Sequence, residues 1–429
     1  MNICVISFHC CPFSLLGGDG TGGMNVYLRE LSSAMKYFPE VNMDIFTRIQ
    51  NPRIRGVRDI SPKIRVIHLK GGPEHSVNRK HLYNFLPEFS KNLEEFIFLN
   101  KFRYDLVYSH YWFSGLIGEG IKNKYNLRLI HMFHTLAFLK QREAKEKYEE
   151  HSSRLRSERH LAQISEILVS SSEQEKRNLL EEYEIPPSKI KVIYPGVNKE
   201  LFCPMNKKGV RLKLGFGEED KIILYVGRID PVKGLFNLIE SLELLRKEAS
   251  LLYNQLKLVV IGGGSKSSDH LKNEEILRIK KIVKVKNLGE KIFFLGSKKQ
   301  NKLKKYYSAA DVLVMPSLYE SFGLVVLEAL ACGTPVVVSR IGEMKTIIKE
   351  GKNGFHFAPD DPSSLFFCLN YFFSHRNGLQ SREIIRQDII NRFSWEKTAE
   401  ETYIFFKEIV KESLYPTRIF QPGESLLPA

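Results

Sequence analysis

Strand-like and helix-like runs alternate along this chain twice over, and that alternation constrains the fold more than any single motif. Apolar, β-branched runs fall at 2–8, 41–46, 64–69, 105–109, 128–133, 167–170 and 191–194, with helical stretches such as 24–37, 93–100 and 173–182 between several of them. After Pro195-Gly196-Val197 and a turn-rich segment to Lys208, the pattern resumes with runs at 222–226, 257–261, 292–295, 312–315 and 335–339. A βαβα order means parallel strands joined by crossover helices that cover both faces of the sheet. The expected class is therefore α/β, with two Rossmann-like domains at 1–200 and 201–390 whose parallel sheets face a cleft. A helix at 391–412 has no strand after it, and the tail at 413–429 reads as unstructured. A chain of 429 residues has ample material for such cores.

Ligands of open parallel sheets bind beyond the carboxyl ends of the strands, so the loops there are where chemistry is sought. The most informative one lies in PSLYESFGLVVLEALACGTPVVV, residues 316–338. It opens as a loop, continues as an apolar helix over 322–332 and ends in a β-branched run after Gly333-Thr334-Pro335. With a helix start near Gly323, Glu320 lies in the loop before it and Glu328 about one turn inside. The free N–H groups and positive dipole end between them suit a diphosphate, and each carboxylate can accept hydroxyl hydrogen bonds from a sugar. The bland alternative is a surface Glu and a chance helical Glu.

Other strand-end loops add to this. LYVGRIDPVKG puts Arg228 and Lys233 five residues apart in one βα loop, where a guanidinium and an ammonium can grip one diphosphate without a metal. The glycine run 17–23 leads straight into a helix, where backbone N–H groups can turn towards an anion or simply form a flexible turn. In LIHMFHTLAFLKQ, residues three apart on a strand face opposite ways, so His131 and His134 are poor metal partners; His131 faces the core and His134 the cleft. A structural histidine is the alternative reading of His134. Gly262 to Ser267 lacks the glycine that a Walker A loop needs before its lysine and reads as an ordinary turn. Asp360-Asp361 before Pro362 reads as a helix cap rather than a metal-binding pair.

Composition bounds the partners. The formal charge of +15 favours an anionic partner, with nucleic acid the least supported because basic residues are dispersed and no reading motif is present. The six cysteines form no metal-ligand spacing and read as reduced thiols, so a cytoplasmic protein is expected. No window approaches a membrane span, and the N-terminus reads as a first strand rather than a signal peptide.

Together these stretches resemble the retaining glycosyltransferases of family 4, which have the GT-B fold. GGMNVYLRELSSAM, DLVYSHYWFSGLIGEG, HTLAFLKQ, YPGVNKELFCP, GRIDPVKG and ESFGLVVLEALACGTPVVVS occur in family order over nearly the whole chain. The resemblance implies that Glu320 holds the donor sugar, Glu328 the nucleotide ribose, and Arg228 with Lys233 the donor diphosphate. Backbone N–H groups of Gly22, Gly23 and the Phe322, Gly323, Leu324, Val325 turn would join them, and His134 would contact the transferred sugar. The N-terminal half is most similar to the branch containing D-inositol-3-phosphate glycosyltransferase and sucrose-phosphate synthase, which take small phosphorylated acceptors. That branch implies an acceptor-phosphate site of Tyr111, Thr135, a basic residue at Arg79 or Lys80, and Arg154 or Arg156. Ile341-Gly342-Glu343 departs from the family pattern, which usually has a second glycine there.

The activity implied is hexosyl transfer, glucose or GlcNAc in type, from a UDP-linked donor, front-face and retaining, with no essential metal or cofactor. Rival classes are a nucleotide-sugar epimerase, a non-catalytic nucleotide-sugar binder, and a transferase acting on a lipid or polysaccharide at an acidic membrane. Peripheral membrane association and a homodimer both stay open.

Overall fold

The computed structural model describes residues 1–14, 22–144, 152–263, 274–375 and 378–414. Strands β1 (Asn2–Ile6), β2 (Asn42–Arg48), β3 (Gly56–Ser61), β4 (Ile64–Leu69), β5 (Leu106–His110), β6 (Arg128–Met132), β7 (Ile167–Ser170) and β8 (Ile190–Val192) form one sheet, ordered β3-β4-β2-β1-β5-β6-β7-β8. Strands β9 (Lys221–Val226), β10 (Leu256–Ile261), β11 (Ile292–Phe294), β12 (Val312–Met315), β13 (Val336–Ser339) and β14 (Gly354–Phe357) form a second, ordered β11-β10-β9-β12-β13-β14. The expected α/β class with two Rossmann-like sheets is what the chain adopts.

Both sheets are covered on two faces, and the strand residues show it. Along β1, Ile3 and Val5 join one core while Cys4 and Ile6 join the other. Along β9, Ile222 and Leu224 face one core and Ile223 and Tyr225 the opposite one. A strand buried on both sides carries no polar alternation, which is why these segments read as continuous apolar runs.

Two strands depart from expectation. β3 is antiparallel to β4, so the first sheet is not wholly parallel. Its sequence GVRDIS lies on an edge and is largely exposed, so it lacks the apolar signature of a buried strand. β14 is too short, at GFHF, to stand out. The helix expected over 322–332 is regular over Leu324–Ala331, with Gly323 as its N-cap. Asp361 caps helix Pro362–Ser374, its side chain accepting from the N–H groups of Ser363 and Ser364. Residues 17–21 of the glycine run, 264–267 of the second glycine loop and 415–429 of the tail lie outside the described residues.

In each sheet the first strand of the domain sits at the switch point: β1 lies between β2 and β5, and β9 between β10 and β12. Loops leaving opposite directions there open a crevice at the carboxyl ends. The chain then returns. Helix Trp395–Leu414 packs on helix Gly23–Met35, burying Trp395, Ala399, Phe405 and Phe406 in the first domain's core. The outgoing and returning strands of chain touch where Val197 bridges Ser394. A Cβ on Gly196 would stand 2.3 Å from the carbonyl carbon of Ser394, so only glycine permits that crossing. No helix among the described residues is long and apolar enough to cross a membrane.

Candidate active site

On the second domain, the Arg228–Lys233 loop leaves β9 and the 316–323 loop leaves β12, the strand paired beside it. Asp230 fixes the first loop by accepting from the Val232 N–H at 3.0 Å, starting a short turn that carries Lys233. Gly234 ends that turn at φ 65°, and a Cβ there would lie 1.8 Å from the Pro316 carbonyl oxygen. The two loops can therefore lie against each other only with glycine at this position. Lys233 Nζ meets Glu320 Oε2 at 2.5 Å, joining one residue from each loop. Arg228 stays half-exposed, 3.7 Å from Asp230. Burial pushes the Asp230 carboxyl up, but Arg228, Lys140 and Lys233 with the Val232 N–H outweigh it and hold it low.

Glu328 lies inside the helix that follows and is buried. Tyr307 donates to its Oε2 at 2.7 Å and Gln300 to its Oε1 at 3.1 Å. Burial pushes its carboxyl up to about 7 against those two hydrogen bonds. Phe322 is buried against Tyr194 and Phe393, which anchors the start of the helix. Leu324 and Val325 form its half-buried first turn. Across the crevice, a Cβ on Gly23 would lie 3.7 Å from Leu324 Cδ1, so the N-termini of two helices meet at one place. Gly22 precedes Gly23 as the N-cap of that first helix, and its N–H donates to Asn25 Oδ1 at 3.0 Å. Free N–H groups at such ends favour an anion.

The first domain supplies a denser cluster. Tyr111 follows β5 with φ 71° and His134 follows β6 with φ 60°, two non-glycine residues in the left-handed region at the ends of paired strands. Such conformations cost energy and persist where surrounding contacts over-determine them. Arg154 lies over the Tyr111 ring at 4.9 Å and Arg79 over the same ring at 5.6 Å. Arg154 Nη2 donates to both Thr135 Oγ1 and the Thr135 carbonyl at 2.9 Å, and its Nε donates to Glu158 Oε1 at 2.7 Å. Glu158 also accepts from the Ala137 N–H and the Tyr183 hydroxyl, so it binds the arginine to the start of helix Ala137–Ala144. That helix abuts the Lys233 turn across the crevice.

His134 is held from both sides. Its Nε2 shares a hydrogen bond of 2.8 Å with His110 Nδ1, and its carbonyl accepts from the Ser321 hydroxyl of the other domain. The Leu136 N–H donates to the Tyr319 hydroxyl at 3.0 Å, a second tie across the crevice. Burial pushes His134 down to about 3, with His131 adding to it, so the ring is neutral near pH 7. His131 is fully buried against Ser109, as a core-facing residue should be.

The sequence-derived residues thus fall into two groups facing one crevice. Arg228, Lys233, Glu320, Glu328 and the Phe322–Val325 turn form one, and Arg79, Tyr111, Thr135 and Arg154 with His134 the other. Arg156 belongs to neither: two positions after Arg154 on helix Ser152–Ile164 turns it about 200° away, and it is exposed. Arg79 is the basic residue placed on Tyr111; the Lys80 side chain is outside the described set. Sequence reasoning missed His9, buried 4.6 Å from the Tyr111 ring, and Gln300, Tyr307 and Glu158. Position after β1 could have found His9; Tyr307 and Glu158 lie inside helices and Gln300 opens one, with no local signal. Burial, with the cations Arg79, Arg154 and Arg48 beside it, keeps His9 well below its usual range.

Comparison with known proteins gives the following. The family model "Glycosyltransferase Family 4" matches residues 21–201 and "Glycosyl transferases group 1" matches residues 206–388. The chain is 31% identical over 417 residues to a D-inositol 3-phosphate glycosyltransferase of Corynebacterium efficiens, covering 95% of each. It is similar to the solved sucrose-phosphate synthase of Thermosynechococcus elongatus, with a TM-score of 0.86 at 29% identity, covering 96% of this chain and 99% of that one. A more distant likeness in fold is the Anabaena protein HepE, solved with UDP and glucose, with a TM-score of 0.71 at 18% identity, over 95% of this chain and 100% of that one.

Proposed function

This chain belongs to glycosyltransferase family 4, with the GT-B fold, and from that membership we propose that it transfers a hexosyl group of the glucose or GlcNAc type from a UDP-sugar to a small phosphorylated polyol or sugar. The observation that carries the acceptor class is the Tyr111 cluster. A buried arginine and a second guanidinium over one ring, with a threonine hydroxyl beside them, make a compact oxyanion site. The names of the Corynebacterium and Thermosynechococcus relatives, each with a phosphate on the small molecule, support the same class.

In this reading Arg228, Lys233 and the N-terminus of helix Leu324–Ala331 receive the donor diphosphate, and no metal is needed to balance its charge. Glu320 accepts from hydroxyls of the donor sugar and Glu328 from those of the ribose. Gly23 brings its backbone N–H to the same diphosphate, while Gly22, its own N–H engaged by Asn25, caps the helix that presents it. Arg79, Tyr111, Thr135 and Arg154 hold the acceptor phosphate, which aims a hydroxyl at the anomeric carbon. Neutral His134 hydrogen-bonds the transferred sugar.

Transfer then runs on one face of the sugar. The bond from the anomeric carbon to the phosphate oxygen breaks as the acceptor oxygen bonds to that carbon, and the acceptor proton passes to the leaving phosphate oxygen. Lys233 and Arg228 stabilise the charge that develops there. Glu320 is engaged by Lys233 and Ser317, and no carboxylate serves as nucleophile.

The test is a screen of UDP-, GDP- and ADP-sugars with inositol phosphate, fructose 6-phosphate or no acceptor, read as released nucleotide, with and without a chelator. Release from a UDP-sugar that rises only with a phosphorylated acceptor, indifferent to chelation, is the expected result. Release that rises with neither phosphorylated acceptor, and only when a lipid or polymer acceptor is added to the screen, would overturn it.

A further inference from the structure

Arg29, Gln300 and Tyr307 connect the first domain to Glu328. Arg29, on helix Gly23–Met35, donates its guanidinium Nη2 to Gln300 Oε1. Gln300, the first residue of helix Gln300–Ala309, donates its amide nitrogen to Glu328 Oε1 at 3.1 Å. Tyr307, two turns along the same helix, donates to the other carboxylate oxygen at 2.7 Å. On its other side Arg29 Nε lies 3.4 Å from Glu30, whose second oxygen accepts from Asn198 at 2.9 Å.

The chemistry of the ends dictates the middle. A guanidinium can only donate, so the side of the Gln300 amide facing Arg29 must be its oxygen. Its NH₂ then necessarily faces Glu328, and a donor there favours the ionised carboxylate over the acid. Without Arg29 nothing in this chain of contacts prevents the amide from turning over. Its oxygen would then face Glu328 and accept a proton-bearing carboxyl equally well.

We propose that Arg29 and Gln300 are positioning residues that let the first domain set the charge of the Glu328 carboxylate in the second. The proposal rests on the reading of Glu328 as the ribose-binding group for its effect on catalysis, though not for the coupling itself. Docking of helix Gly23–Met35 against helix Gln300–Ala309 locks the amide and keeps the carboxylate ready to accept from two hydroxyls. Separation of the domains frees the amide and favours the protonated acid.

The remaining groups around Glu328 leave this control to Arg29. Tyr307 is a buried phenol held far above its usual range by burial and by Glu328, so it stays a donor. Glu30 acts against ionisation and Arg29 for it. Cys332, one turn along the helix, is a buried thiol pushed well up by burial and stays neutral. Arg382 and Arg386 of helix Arg382–Arg392 are committed to the carbonyls of Cys332, Ala331, Phe202 and Lys199. Strands β12 and β13 bring only Val, Leu, Met and Ser.

The test uses the full chain and two readouts. Infrared difference spectroscopy without nucleotide follows the Glu328 carboxyl band, identified by its loss in Glu328→Gln. UDP affinity is measured calorimetrically over the same pH range. Arg29→Met and Gln300→Leu are expected to raise the infrared midpoint by roughly half a unit or more. The double variant should move it no further than Gln300→Leu alone, and Arg29→Lys, which restores a donor, should return it towards wild type. The pH at which UDP affinity falls should move with it. An infrared midpoint unmoved in Arg29→Met and Gln300→Leu would overturn the proposal. Should that midpoint move while Glu328→Gln binds UDP as wild type does, the coupling stands and the ribose reading fails.

Discussion

The two walls of the crevice solve the same electrostatic problem in opposite ways. Arg154 in the first domain is buried and already has its hydrogen bonds, to Thr135 and to a fully buried Glu158, with Tyr111 beneath it. Arg228 in the second stays half-exposed with a loose carboxylate neighbour, and Lys233 holds one contact to a partner at the end of a loop. A buried ion pair costs several kcal/mol of desolvation per ion and returns it only through good geometry, so it fixes position. An exposed cation such as Arg228 costs little and keeps its side chain free to follow a ligand, while Lys233, less exposed, has only one carboxylate to exchange for it. The first wall is built in place; the second has room to adjust to a diphosphate.

The largest effect should come from the adjustable wall. Lys233→Ala removes a charge that matters most as the leaving group departs, and should lower kcat by on the order of 10³-fold while global stability changes little. Steady-state kinetics beside a denaturant titration would show both; a stability loss as large as the kinetic one would erase the contrast between the walls. Arg154→Met should behave inversely. It strands Glu158 as a buried charge, so a loss of about 3 kcal/mol in unfolding free energy is expected, with a raised acceptor KM. Substituting Glu158→Gln in that background should recover part of the stability and none of the acceptor affinity.

Glu328 sharpens the comparison because it is a buried group on the adjustable wall. Its folded pKa of about 7 lies above the ordinary 4.5, so it favours the folded state most below pH 4.5, and that contribution is lost as pH rises through about 7. Thermal unfolding from pH 4 to 8 should therefore slope downward more in wild type than in Glu328→Gln, by about 3 kcal/mol across the range. Identical slopes would mean that the carboxyl is not carrying this desolvation. Arg156→Ala is the smallest case: an exposed arginine on the far side of its helix should change stability by less than about 0.5 kcal/mol and leave acceptor KM as it was.

The same contrast explains what could be read from the amino-acid order. Arg228, Lys233, Glu320 and Glu328 sit in two contiguous strand-loop-helix segments, so spacing alone relates them to a strand end and a helix start. The Tyr111 cluster draws Arg79, Tyr111, Thr135 and Arg154 from four separate elements, and periodicity says nothing about which meet. Family resemblance suggested the set but left Arg154 or Arg156 open, and helix phase decides between them. Gln300 was invisible because a glutamine opening a helix has many uses, and only Arg29, from the other domain, gives it this one. Most strands were legible because burial on both faces makes them apolar without interruption; β3 was not, because an edge exposed to water has no reason to be.

The helix Trp395–Leu414 has a consequence for how the protein is made. Its Trp395, Phe405 and Phe406 complete the core of the first domain, yet they are the last described part of the chain to leave the ribosome. At ordinary translation rates the first domain must wait roughly ten seconds or more, while the second is synthesised, before its apolar face is closed. During that interval the surface of helix Gly23–Met35 that helix Trp395–Leu414 will cover is open to water and to other nascent chains. The second domain, held between Val197 and Ser394, can fold first and bring the closing helix home when it emerges.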